Sequence, residues 1–244
     1  MMDNSVFIVT GGTSGIGLAC VKTIIQRGGQ VITCARKPFD FGDLFDINDL
    51  SRLHFQQMDI SQKGIGQRLI DTAIDRFGQI NVLINNAAQA PMKSLGELTD
   101  QDFSTTVNTN MRSIFELTRA VFPHFISNGD GVIVNLSSMA AVDPFAGFSL
   151  YGASKAWIET FTQATASEGR QYNIACYSIR AGTVETPLLR KVLPDYPRDQ
   201  TLHPEDVAKL ICQLAQSGDR SQSGTAIEIH SPSGNKSDPA FPSD

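Results

Sequence analysis

Tyr151 and Lys155 stand four residues apart in the stretch YGASK. On a helix that spacing puts a phenol and an ammonium on one face, a turn apart. A free phenol titrates near ~10, so it trades protons near neutrality only with help. A neighbouring ammonium gives that help by favouring the phenolate. Such a pair can pass a proton to a carbonyl oxygen or take one from an alcohol. Ser138 lies thirteen residues before Tyr151, at the end of the strand-like run GVIVNLSS, where its hydroxyl can hold the reacting oxygen. Each feature also has a plainer reading. Tyr–Lys pairs decorate many solvated helices, and two serines after a strand often only make a turn. Tyr172, Tyr177 and Tyr196 have no lysine four residues on.

A second constellation lies upstream, in TGGTSGIG at 10–17. Gly11, Gly15 and Gly17 follow an apolar run and open an amphipathic one. Missing side chains let a phosphate reach backbone N–H groups, and a helix N-terminus adds partial positive charge. Thr13 and Ser14 add hydroxyls. The alternative is a tight turn without a ligand, but the setting between two strands favours dinucleotide binding. At the end of the next strand-like run, Arg36 and Lys37 stand where a carboxylate would select NAD, which points to NADP, the alternative being that Arg36 is an ordinary surface cation. Asp40, Asp43 and Asp46 follow closely and could fold back against a phosphate. Asp59 either meets the adenine or caps the next helix. Asn85 and Asn86 with Ala87 and Ala88 either leave room for a ribose or hold neighbouring strand ends.

The elements that must position these groups alternate along the chain. Strands are predicted at 5–10, 30–35, 55–60, 80–88, 131–138, 173–181 and 224–230. Helices are predicted at 18–27, 62–77, 99–126 (broken or bent near its middle), 151–169 and 204–216. That order predicts a Rossmann-like, doubly wound parallel α/β sheet of about seven strands in one domain, 1–230. Two stretches read as irregular, 37–52 and a substrate loop at 182–203. A polar, Pro/Gly-rich tail spans 231–244 and is expected to fray or lie on a surface.

Composition narrows the function classes. The net charge is −5 over 244 residues, which gives nucleic acid and acidic membranes little to bind. Cys20, Cys34, Cys176 and Cys212 are far apart, without metal spacing, and read as reduced thiols. No metal is expected. The apolar run near the N-terminus is too short for a signal peptide or membrane span, so a soluble cytoplasmic protein is expected.

Taken together, these motifs resemble the short-chain dehydrogenase/reductase family. TGGTSGIG matches its Thr-Gly-x-x-x-Gly-x-Gly turn and YGASK its Tyr-x-x-x-Lys pair, while NNAA nearly matches its Asn-Asn-Ala-Gly. The likeness covers about 5–230. It implies that Tyr151 is the proton donor and acceptor, that Ser138 steadies the reacting oxygen and that Lys155 holds the nicotinamide ribose. TTVNTN resembles the helix bearing a fourth catalytic residue, which would be Asn108, anchoring a water that links Lys155 to solvent. Gly11, Gly15, Ile16 and Gly17 would line the pyrophosphate. Asp59 and Ile60 would meet the adenine, and Asn86 and Ala87 the adenosine-side ribose region. Gly182, Val184 and Thr186 would meet the nicotinamide end. Ala88 and Ala181 depart from the family's glycine and proline.

The expected activity is hydride transfer between NADP (NAD possible) and a small carbonyl or alcohol. The alternatives are an NAD-dependent alcohol dehydrogenase of the same fold and a regulatory dinucleotide binder. Met139, Val142, Phe145 and Phe148 would line an apolar substrate pocket or pack under the loop. Leu188, Leu189, Val192 and Leu193 would face it from a short lid, with Arg190 and Lys191 turned to water. Phe115, Leu117, Trp157 and Phe161 would serve a core or the contact of a homotetramer or homodimer.

Overall fold

A computed structural model describes Met2 and residues 4–231. Seven parallel strands form one sheet in the order β3-β2-β1-β4-β5-β6-β7. They are β1 Val6–Thr10, β2 Gln30–Ala35, β3 Leu53–Gln57, β4 Val82–Asn85, β5 Gly131–Leu136, β6 Ile174–Ala181 and β7 Ala226–Ile229. The helices between them are α1 Gly15–Gln26, α2 Ile47–Ser51, α3 Ile65–Phe77, α4 Asp100–Thr106, α5 Ser113–Asn128, α6 Ser149–Gly169, α7 Pro187–Val192 and α8 Pro204–Gln216. The expected Rossmann-like doubly wound architecture is therefore present.

The central strands are apolar on both faces because helices cover both. Successive side chains of β1 divide the core. Phe7 and Val9 pack on the side that receives Val21, Ile24 and Ile25 of α1 and Val207 and Ile211 of α8. Ile8 packs on the other, with Leu69 and Ile70 of α3 and Leu117 and Val121 of α5. Strand order reverses at β1, which has β2 on one side and β4 on the other. The carboxyl ends of the strands open a crevice at such a point, where ligands bind in sheets of this kind.

Several boundaries differ from the sequence expectations. β3 begins at Leu53 and ends at Gln57, so Asp59 and Ile60 lie beyond the strand. The stretch 37–52 is not wholly irregular: Asp46 accepts the N–H groups of Asn48 and Asp49 at 2.8 and 2.9 Å and so starts α2. Phe39, Phe41, Phe45 and Phe55 pack into an aromatic cluster that anchors this stretch. The long helix at 99–126 is broken near its middle, as expected, by a π-helical turn, Val107–Arg112, between α4 and α5. The substrate loop contains α7, started by Thr186, whose side chain accepts from the Leu189 N–H at 3.1 Å. Of the tail at 231–244, only Ser231 lies within the described residues. Among the described residues no helix is long and apolar enough to cross a membrane, and no cluster of metal-ligating side chains occurs.

Candidate active site

A cleft of about 970 Å³ runs along the carboxyl edge of the sheet. It spans five strands, β3-β2-β1-β4-β5, before reaching β6. Four strand spacings amount to roughly 19 Å, long enough for an extended dinucleotide. Arg36, Lys37, Asp59 and Ile60 line the β2–β3 end. The glycine turn, Asn86 and Ala87 line the middle, and Ser138, Tyr151, Lys155 and Gly182 line the far end.

The glycine turn is built for close approach. Gly11 and Gly15 have φ of +71° and +52°, a region that disfavours side chains. Gly11, Thr13, Ser14, Gly15 and Ile16 all line the cleft. Gly17 does not, contrary to expectation. A Cβ there would fall 2.3 Å from the Gly11 carbonyl oxygen, so this glycine lets α1 pack against its own turn. Ser14 caps α1 without a side-chain hydrogen bond, which leaves its hydroxyl free at the cleft wall. Thr10 was not singled out from sequence, yet its Oγ1 accepts the N–H groups of Asn86 and Ala87 at 3.0 and 3.1 Å. Asn86 returns the tie, donating from Nδ2 to the Thr10 and Gly11 carbonyls at 2.8 and 3.3 Å. Its amide therefore staples two strand ends together while the residue lines the cleft, in line with the alternative that such amides hold strand ends.

At the adenosine end, Arg36 and Lys37 are exposed and carry no ion pair among the described residues. The nearby acids are occupied locally. Asp40 accepts from the Gly42 N–H at 2.8 Å, Asp46 caps α2, and neither these two nor Asp43 lines the cleft. Asp59 lines the cleft and accepts the Ser61 N–H at 3.0 Å in a local turn, but it does not cap the next helix, α3, which starts after Gly64.

At the other end, Ser138 sits two residues beyond β5 and starts a short 3₁₀ turn, accepting the Ala140 N–H at 3.2 Å. Ser138 also lies close enough to Tyr151 to favour its phenolate form. Lys155 is 3% exposed, and its Nζ donates to the Leu136 carbonyl at 2.6 Å and lies 5.5 Å from the Tyr151 ring centroid. The three side chains thus converge from one strand end and one helix. The ammonium by itself does not acidify the phenol: burial pushes Tyr151 up to about 12, and Ser138 pulls only partly back. Burial brings Lys155 down to about 8. A desolvated phenol needs additional positive charge before it releases a proton near neutrality.

The two asparagines of TTVNTN have different surroundings. Asn108 is partly buried, and neither it nor Asn110 lines the cleft. Asn110, two residues on, is fully buried. Its Oδ1 accepts the Gln89 N–H at 2.8 Å, and its Nδ2 donates to the Gln89 carbonyl at 2.8 Å and the Ser154 hydroxyl at 2.9 Å. It therefore ties the exit of β4 to the helix residue beside Lys155. The π turn makes this possible by shifting the helix register, with the Ser113 N–H donating to the Asn108 carbonyl. The signal was present as two asparagines in TTVNTN, and only the pairing of helix with loop distinguishes them.

On the substrate side, Met139, Phe145 and Phe148 line the cleft, whereas Val142 is 55% exposed and does not. Leu188, Leu189, Val192 and Leu193 line it from the lid, with Val184 and Thr186 at its base. Arg190 does not face water as expected. It pairs with Glu185 and donates to the Pro194 and Tyr196 carbonyls at 2.9 and 2.6 Å, stapling the two halves of the lid segment.

A family model of short chain dehydrogenases matches residues 5–197. A 3-oxoacyl-(acyl-carrier-protein) reductase of Thermotoga maritima is 28% identical over 247 residues, covering 93% of this chain and 97% of its own. A sorbitol-6-phosphate 2-dehydrogenase of Klebsiella pneumoniae is 32% identical over 211 residues, 80% of this chain and 74% of its own. A solved short chain dehydrogenase of Burkholderia cenocepacia in complex with NADP superposes with a TM-score of 0.86 at 28% identity, covering 94% of this chain and 98% of that one.

Proposed function

This chain belongs to the short-chain dehydrogenase/reductase family, and we propose that it is an NADP-preferring oxidoreductase acting on a carbonyl or secondary alcohol, with Tyr151 as acid and base. NAD(P)-dependent oxidoreductase activity is the family's general chemistry. The observation that carries the finer reading is the meeting of Ser138, Tyr151 and Lys155 in the same cleft as the glycine turn. A regulatory dinucleotide binder has no chemical need for that set.

The residues present fit a dinucleotide. Gly11 and Gly15 leave a cradle at the start of α1 that a Cβ would crowd, against Ala87 at 3.1 Å and Thr186 at 2.9 Å. Backbone N–H groups there suit a pyrophosphate. Arg36 and Lys37 suit a 2′-phosphate because neither is held in an ion pair among the described residues and Asp40, Asp43 and Asp46 lie off the cleft wall. The related Burkholderia protein holds NADP, which agrees with this choice. When bound, the nicotinamide supplies or accepts the hydride. Ser138 holds the substrate oxygen by a hydrogen bond. Tyr151 passes the proton to that oxygen, or receives it in the reverse direction. Lys155 keeps positive charge below Tyr151 and would hold the ribose in exchange for part of its bond to Leu136. Asn110 keeps the β4 exit and α6 in register. Asn110, in place of Asn108, is thus the fitting candidate for the fourth position.

The outer face of α5 and α6 carries Phe115, Trp157 and Phe161, with Trp157 and Phe161 stacked at 4.8 Å and Phe115 42% exposed. We read this face as the contact of a homodimer or homotetramer. Leu117, by contrast, belongs to the core.

One experiment tests cofactor and proton donor together. Titration with NADPH and NADH is expected to give tighter NADPH binding by about tenfold or more, the worth of a charge-assisted contact. Arg36→Ala should erase that difference. Tyr151→Phe should bind NADPH normally and lose roughly 10²- to 10⁴-fold in turnover. Equal affinities in the wild type would remove the NADP assignment, and full activity in Tyr151→Phe would remove the acid–base role.

A further inference from the structure

Behind the lid lies a second, smaller cavity of about 390 Å³. It is bounded by α7, α4 and the segment 89–93. Gln89, Ala90, Leu188 and Val192 line both this annex and the main cleft, so the two adjoin. Leu188 and Val192 are one helical turn apart, so a single stripe of α7 forms the shared wall.

Met139, Phe145, Phe148, Leu189 and Leu193 give the main cleft an apolar stretch of wall, and Asp143 also lines that cleft. The annex mixes apolar groups, Pro91 and Met92 among them, with polar ones, most of which are already engaged. Lys93 pairs with Asp102 at 2.8 Å, and the Thr105 hydroxyl accepts from Gln101 at 2.8 Å. Two groups stand apart. Lys191 is exposed and has no ion pair or side-chain hydrogen bond among the described residues. Thr106 is 1% exposed, yet its Oγ1 has no hydrogen-bond partner. Helical threonines commonly bond the carbonyl a turn back, and a buried hydroxyl left without any partner is costly. Because Lys93 and Asp102 cancel, Lys191 leaves the annex with one net positive charge.

We propose that the annex is a tail subsite for a carboxylate carried at the far end of an apolar carbonyl substrate. The substrate class is an oxo acid, or the corresponding hydroxy acid, whose reacting carbon is remote from its carboxylate. Lys191 attracts the anion and Thr106 donates a hydrogen bond to it, while the lipophilic spacer crosses beneath Leu188 and Val192. The assignment rests on the oxidoreductase reading above, since it concerns the same substrate.

The test compares two ketones with one reacting end and one chain length, 2-decanone and 9-oxodecanoate, under NADPH. Wild-type kcat/KM is expected to favour the acid by about fivefold, the scale of a partly exposed ion pair. Added salt should erode that preference. Lys191→Met should abolish it with 2-decanone turnover unchanged. Thr106→Val, nearly isosteric, should slow the acid alone. Equal kcat/KM for the two ketones in the wild type, or an equal loss on both in Lys191→Met, overturns the subsite and leaves the oxidoreductase reading standing. Turnover of neither ketone by a protein that binds NADPH overturns both.

Discussion

At the residue scale, the main conflict is between burial and charge. The spacing of Tyr151 and Lys155 sets an ammonium where it favours the phenolate, yet both groups are desolvated. Burial drives each toward neutrality, the phenol up to about 12 and the ammonium down to about 8. This has a sign that can be measured. Below about 8 the lysine is charged in both folded and unfolded chains, and its burial lowers stability. Between about 8 and its ordinary 10.5 the unfolded chain holds a proton that the folded one sheds, so this group's contribution rises with pH. Tyr151 acts oppositely from its ordinary 10 to about 12, where the folded chain keeps the proton and stability falls. Cys34 and Cys176, also pushed up by burial to about 12, add to that fall. Subtracting the urea stability of Lys155→Met from that of the wild type isolates the lysine. The difference should shift in favour of the wild type by up to roughly 3 kcal/mol across this alkaline window. A flat difference would show that the ammonium is not desolvated in the folded protein.

At the element scale, the π turn between α4 and α5 sets the surroundings of the two asparagines. A helix of uniform register would present 108 and 110 to different neighbours, and nothing local in TTVNTN ranks them. Asn110 bonds both backbone groups of Gln89 and the Ser154 hydroxyl from a fully buried site. Asn110→Ala leaves those partners unsatisfied and should lower stability by about 2–4 kcal/mol. Asn108→Ala should cost less than about 1 kcal/mol. Denaturant titration of the two variants checks this, and the reverse order would return the assignment to Asn108. The lid gives a parallel lesson. Arg190 and Lys191 are adjacent cations, but one closes on Glu185 and two carbonyls while the other faces the annex.

At the scale of the whole molecule, strand order does the positioning. The reversal at β1 brings groups from residues as far apart as 36 and 182 to one edge. The outer face of α5 and α6, with Phe115 exposed and Trp157 and Phe161 half-buried, is the face we propose as the contact between copies. Trp157→Glu with Phe161→Glu is expected to shift the protein from dimer or tetramer to monomer in sedimentation velocity, with the NADPH site intact. A wild type that sediments as a monomer would instead make this aromatic face an ordinary surface patch.

What sequence alone determined were the features that depend on local chemistry. These include the strand–glycine turn–helix opening, the near-continuous apolar strands, the Tyr151–Lys155 spacing and the break in the long helix. They were legible because periodicity, missing Cβ atoms and helical spacing act within a few residues. Tertiary structure decided everything that required two distant segments to meet. It set Gly17 against the Gly11 carbonyl, turned Asn86 into a staple for Thr10, bonded Asn110 to Gln89 and Ser154, closed Arg190 onto the lid and desolvated the phenol and its lysine. The physical reason is that hydrogen-bond partners and dielectric environment belong to the packed assembly of elements, which no stretch of chain carries by itself.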